Sequence, residues 1–212
     1  MSNCKALAGA RKLAISLAAS GLLLSAAQAD EHGAVYVLTN QASGNSVLVY
    51  DRAPGGALTY AASYATGGTG AGSGADPLGS QGSIVQREGY VFAVNAGSND
   101  VSVFRAWGTG LQLLARVASG GQLPVSLDVK GRLLYVLNAG GTPNISGFWF
   151  SPEDGQLWPL PGSQRPLAGG TAASPAEVRF SADGEDLVVT EKGTQQIDTY
   201  RLDWFGYASA PQ

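Results

Sequence analysis

An all-β chain made of repeated four-stranded antiparallel units is the fold class this sequence predicts. Three observations lead there. One phrase recurs four times, over residues 33–50, 89–104, 131–148 and 184–200. Each copy has a Gly turn, a short apolar run, a polar turn, then a β-branched strand ending in an aromatic. Val47, Val101, Ile145 and Ile197 hold equivalent places, 54, 44 and 52 residues apart. A four-stranded unit repeating every ~40 to 55 residues is a propeller blade. A β-sandwich also carries short strands and regular turns, but here the similarity runs through whole four-strand units.

The elements follow in order. In the first copy, Val35, Tyr36, Val37 and Leu38 lead into a polar turn from Asn40 to Ser46, and Val47–Tyr50 form the next strand. Gly55 and Gly56 then turn the chain into residues 57–64. The second copy opens with a strand over 83–87, turns at Glu88 and Gly89, and runs through Tyr90–Val94. Asn95 to Asp100 make its polar turn, Val101–Phe104 its third strand, and residues 111–117 its fourth. The third copy repeats this over 125–129, 133–137, 145–148 and 156–160. The fourth does so over 177–180, 186–190 and 197–200. Residue-plus-Gly pairs such as Glu88-Gly89 and Asp183-Gly184 suit tight hairpins, because Gly accepts positive φ without steric cost. The predicted blades are roughly 33–65, 83–118, 124–161 and 176–212. Blade one is expected to lack its inner strand. The chain is expected to stop where the outer strand of blade four should start. Unpaired edges of that kind predict self-association.

Residues 1–29 read as a signal peptide. Lys5, Arg11 and Lys12 precede a 12-residue apolar stretch, 13–24, and Ala27-Gln28-Ala29 is an Ala-x-Ala cleavage site. The stretch is too short for a membrane anchor. A lipoprotein is also disfavoured, because the sole cysteine, Cys4, lies ahead of it. Residues 30–212 are then the partial propeller, periplasmic or secreted, with no membrane insertion after cleavage. That portion has no cysteine, so neither disulfides nor thiolate chemistry is available. The formal charge is −3, and −6 without the three leader cations. An acidic chain without a Lys/Arg cluster argues against nucleic acid as a partner. The Gly/Ser-rich stretch 66–82 reads as a mobile crossing loop between blades one and two, or as a backbone surface near the propeller mouth. It lacks the Gly-Lys-Ser/Thr ending of a phosphate loop.

Three segments, 92–104 (FAVNAGSNDVSVF), 135–148 (YVLNAGGTPNISGF) and 174–200 (SPAEVRFSADGEDLVVTEKGTQQIDTY), resemble the seven-bladed lactonase propellers. That family includes phosphogluconolactonases and carboxymuconate cyclases and is close to the Tyr-Val-Thr-Asn repeat propellers. The likeness covers residues 33–203 and implies about four of an expected seven blades. It also implies a His, an Arg and a Glu around the central channel. Glu191 matches the Glu. Ala176 stands where the Arg is expected, and Leu123-Pro124-Val125-Ser126 supplies no His.

Glu191 is therefore the candidate catalytic residue, a general acid or base at a strand end. Its other reading is a turn residue, since Asn95 and Asn138 hold the equivalent positions. Those two asparagines are candidate ligand-binding residues or, alternatively, turn formers. His32, the sole histidine, reads as part of a frayed terminus without partners. Trp107, Trp149, Trp158 and Trp204 are expected in interblade wedges or, alternatively, stacked on sugars. The acidic turn at Asp183–Asp186 reads as solvated, and no metal site or cofactor is expected. Two main functions compete. One is an exported lactonase-type propeller acting on or binding a small lactone or sugar acid at the central channel. The other is a non-catalytic propeller that binds a ligand or a protein. A surface repeat protein binding partners along a blade edge is a third.

Overall fold

A computed structural model describes residues 32–74 and 79–212. The expected signal peptide lies outside the described residues. The chain is an all-β partial propeller of antiparallel sheets joined strand to strand by hairpins. Sheet one contains β1 (Gly33–Leu38), β2 (Ser46–Arg52) and β3 (Leu58–Ala65). Sheet two contains β4 (Ile84–Arg87), β5 (Tyr90–Asn95), β6 (Asp100–Trp107) and β7 (Gly110–Ala118). Sheet three contains β8 (Gln122–Lys130), β9 (Leu133–Gly140), β10 (Asn144–Ser151) and β11 (Gln156–Pro159), with β12 (Arg165–Pro166) extending the pairing of β10. Sheet four contains β13 (Pro175–Phe180), β14 (Asp186–Glu191) and β15 (Gln196–Arg201).

Period-two alternation determines how the sheets stack. Along β5, Tyr90, Phe92 and Val94 turn toward sheet three, while Val91 and Ala93 turn toward sheet one. Along β9, Leu134 and Val136 face sheet two, while Tyr135 and Leu137 face sheet four. Sheets two and three are thus buried on both faces, and every residue of β5 is buried. Each sheet presents a forward face to the next sheet and a backward face to the previous one. The wedges are filled by Phe92, Phe104, Phe148 and Tyr200. The expectation for the tryptophans fails. Trp107 and Trp149 lie on the third strands β6 and β10, Trp158 on β11 and Trp204 in the turn after β15, and all four are exposed. On β10, Phe148 and Phe150 take the face buried against sheet two, so alternation turns Trp149 between them to the other side.

Two features sharpen the ends of the arc. Among the described residues, no strand pairs with β1 on the side away from β2. At the other end, the outer strand of sheet four has begun. Leu202 bridges Ala208, the Ser209 N–H donates to the Arg201 carbonyl at 2.8 Å, and Gln212 and Thr199 exchange bonds of 3.0 and 3.1 Å. The buried Tyr135 hydroxyl pins the turn before it, donating to the Gly206 carbonyl at 2.7 Å and accepting from Ala208 N–H at 3.2 Å. Burial pushes that phenol up to about 12.

The inner strands β4, β8 and β13 converge, with β8 lying against both others. The described part of the 66–82 loop is anchored rather than loose. Gly70 N–H donates to the Gln41 carbonyl at 2.8 Å, and Gly97 N–H to the Thr69 carbonyl at 2.9 Å.

Candidate functional site

Asn95, Asn138 and Glu191 occupy one register position, the last or near-last residue of the second strand of a sheet. They pair across the hairpin with Asp100, Asn144 and Gln196. All three side chains point backward, into the connection that leaves the preceding sheet. Asn95 Oδ1 accepts from Asn45 Nδ2 at 2.9 Å, and its Nδ2 donates to Asp100 at 2.6 Å and Ser102 Oγ at 2.8 Å. Ser102 in turn donates to the Thr66 carbonyl at 2.8 Å. Asn138 Nδ2 donates to the Ser119 carbonyl at 3.3 Å and to Asn144 Oδ1 at 3.1 Å, while its Oδ1 is buried without a partner. Glu191 Oε1 accepts from Gly169 N–H at 3.0 Å, and the Thr194 hydroxyl donates to Oε2.

The connections must come very close for this to work. A Cβ on Gly68 would lie 2.5 Å from Asn95 Cγ, one on Gly121 2.6 Å from Asn138, and one on Gly169 2.1 Å from Glu191 Oε2. The three polar residues are therefore latches between successive sheets. The two asparagines are fully buried and Glu191 is only 2 % exposed.

Glu191 has a second carboxylate beside it. Asp198 is buried, accepts from Ala168 N–H at 2.8 Å and from the Tyr200 hydroxyl at 3.2 Å. Burial and the neighbouring Glu191 raise the Asp198 carboxyl above its usual range. Burial pushes Glu191 up as well, but hydrogen bonds from Thr194, Gly169 and Asp198 outweigh it and hold Glu191 low. The two shifts run in opposite directions, Asp198 raised and Glu191 lowered, as neighbouring carboxylates that disfavour a double charge should show.

Sequence reasoning missed a row of charge on the inner strands. Asp128 on β8 is buried and accepts from Phe180 N–H of β13 at 3.1 Å. Arg87 at the end of β4 lies 3.6 Å from it, and Arg179 on β13 lies 3.7 Å from it. Arg179 also pairs with Glu177 at 3.0 Å. Both guanidinium side chains are about half exposed. These residues come from three sheets at unrelated spacings, so no linear motif announces them.

A cleft of about 420 Å³ opens between β1 and sheet two, lined by His32, Tyr36, Asp51, Gln86, Gly108 and Thr109 among others. His32 is not partnerless, contrary to its reading from sequence. Its Nδ1 lies 3.5 Å from Asp51 Oδ2, because β1 and β2 pair Gly33 with Arg52 and so bring Asp51 alongside. Tyr36 donates to the Gly108 carbonyl at 3.4 Å. Asn95, Asn138 and Glu191 do not line this cleft. Among the described residues, no group of three or more His, Cys, Asp or Glu is placed to hold a metal ion. No helix there is long and apolar enough to cross a membrane.

No protein-family model matches the chain, and no curated protein matches its sequence. Solved structures do match its fold. A Lactobacillus plantarum protein is 19% identical with a TM-score of 0.65, over 84% of this chain and 53% of that one. A 6-phosphogluconolactonase-like protein of Bacteroides uniformis is 12% identical with a TM-score of 0.65, over 84% and 52%. Another from Bacteroides fragilis is 14% identical with a TM-score of 0.59, over 84% and 53%. The chain thus spans about half the length of these structures and shares the fold of lactonase-like propellers.

Proposed function

We propose that this chain belongs to an exported, periplasmic or secreted, propeller of lactonase type that holds a small sugar-acid or lactone ligand against its inner strands. The observation that carries the reading is the inner-strand row. Arg87 and Arg179 offer half-exposed guanidinium donors around the buried Asp128. A guanidinium matches a carboxylate or a polarised lactone carbonyl, and Glu177, paired with Arg179, supplies an acceptor for sugar hydroxyls. Binding without turnover is favoured over catalysis at Glu191, since both oxygens of that carboxylate are occupied by the latch. A general base needs a lone pair within reach of substrate.

Calorimetric titration with gluconate and gluconolactone tests this, together with a hydrolysis assay on a panel of sugar and muconate lactones. The expected result is saturable binding, weakened about tenfold or more in Arg179→Ala, without hydrolysis above background. Hydrolysis that disappears in Glu191→Gln, with the fold intact, would replace the binding reading with the enzymatic one.

A further inference from the structure

Every tryptophan of the chain sits at one kind of place, the hairpin that joins the third strand of a sheet to its fourth. Trp107 ends β6 and pairs with Gly110 across the turn. Trp149 and Trp158 are partners across the β10–β11 hairpin. Trp204, with Phe205 beside it, occupies the turn that the Leu202–Ala208 bridge closes. In sheet one the same hairpin carries Tyr60 near the start of β3. These six aromatic side chains are 39% to 95% exposed. The exposure belongs to the position. Trp107 is 56% exposed although sheet three follows it, and Trp158 is 61% exposed although sheet four does. Sheet four has its outer strand at that level, since the carbonyl of Arg201, the counterpart of Trp149, already accepts from Ser209 N–H.

The hairpins are held stiffly. A tyrosine hydroxyl of the preceding sheet pins each of three. Tyr36 donates to the Gly108 carbonyl at 3.4 Å, Tyr90 to the Pro152 carbonyl at 2.6 Å and Tyr135 to the Gly206 carbonyl at 2.7 Å. The repeated docking puts these hairpins at one end of the arc. Asp203 Oδ1 accepts from the N–H groups of Phe205 and Tyr207, both at 2.9 Å, and so fixes the Trp204 turn.

We propose that this rim is a binding surface for a neutral polysaccharide, separate from the inner-strand row. An indole offers a flat apolar face to the C–H face of a sugar ring. Its pinned hairpin leaves little further freedom to lose on binding. Glu153 and Asp154, close to Trp158, and Asp203, next to Trp204, are exposed carboxylates that accept from sugar hydroxyls. The aromatic groups recur sheet by sheet with Gly, Asp and Glu between them. That repeat suits a ligand made of repeating units better than a protein partner, which wants one dry central cluster. The acidic turns and the net charge of −3 disfavour an anionic lipid surface.

Tryptophan emission of the full chain is the test, because all four indoles are exposed and stacking moves their emission to shorter wavelength. The probes are neutral hexasaccharides of glucose, mannose, galactose and N-acetylglucosamine, alongside phosphatidylcholine vesicles with and without anionic lipid. The expected result is a saturable blue shift with at least one hexasaccharide and none with vesicles. Trp158→Ala and Trp107→Ala should each weaken that binding about fivefold, with unchanged circular dichroism, and the two losses should multiply because the residues lie on different sheets. Trp158→Tyr keeps an aromatic face and should recover most of the affinity. A shift with vesicles and with no hexasaccharide would overturn the proposal, as would no shift with any probe. So would hexasaccharide binding that survives the double substitution undiminished.

Discussion

Sheets two and three carry the same hairpins as sheets one and four, yet they live in a different environment. The inner pair has a neighbour on each side, and β5 and β9 are apolar on both faces. The outer pair has one neighbour each, and its outward faces mix valine and isoleucine with threonine, tyrosine and charge. The contrast teaches that repeat number, rather than strand propensity, sets local stability in this architecture: a blade is stable because of what flanks it. It also explains why equivalent residues differ so much in burial.

The largest effect should come from truncating the same register position in the two environments. Phe148→Ala opens a wedge between sheets two and three and is expected to cost about 3–5 kcal/mol. Tyr50→Ala should cost about 1 kcal/mol or less. Denaturant unfolding of both variants measures the gap, and equal losses would break the comparison.

The next effect belongs to the latches. Gly121→Ala and Gly169→Ala would force a Cβ to 2.6 Å from Asn138 and 2.1 Å from Glu191. Each should lose about 1–3 kcal/mol by overpacking, read as a lower denaturation midpoint. Gly55→Ala, whose Cβ meets nothing within 4 Å, is the control and should be near neutral.

Glu191→Ala leaves the Gly169 N–H without an acceptor and should cost about 1–3 kcal/mol. Glu191→Gln keeps an oxygen there and should cost less. Thermal melts of the two variants separate lost charge from lost hydrogen bond.

The smallest effect is a gain. Asp198 has a folded-state value raised by burial and by Glu191. Its contribution is complete below the unfolded-state value of about 4 and is lost as pH rises through the raised folded value. Glu191, held low, runs the other way, its contribution fading as pH falls through its folded value. Asp198→Asn retains an acceptor for the Ala168 N–H and carries no charge. It should raise Tm at neutral pH and leave it nearly unchanged at low pH. A lower Tm at neutral pH would contradict the raised Asp198 carboxyl.

Much of the fold was legible because hairpin turns and strand alternation are local. Glu88-Gly89 and Asp183-Gly184 mark tight turns, and Tyr90–Val94 is an apolar run of strand length. The common register of Asn95, Asn138 and Glu191 was legible for the same reason. What those side chains touch was not, because Gly68, Gly121 and Gly169 approach from the preceding sheet through connections of different length. The Arg87–Asp128–Arg179 row needs three strands from three sheets, and the His32–Asp51 pair needs the β1–β2 register. Trp149 was misplaced because which residues of β10 face sheet two depends on the register, which puts Phe148 and Phe150 there instead. Residues 208–212 lack a strand pattern of their own, and pairing with β15 draws them in.

Hydrogen–deuterium exchange, read strand by strand, tests the central claim most directly. The account predicts the slowest exchange in β5 and β9, which are flanked on both faces, and the fastest among strand amides in β1 and β3. Uniform protection across the four sheets, or stronger protection in sheet one than in sheet three, would contradict it.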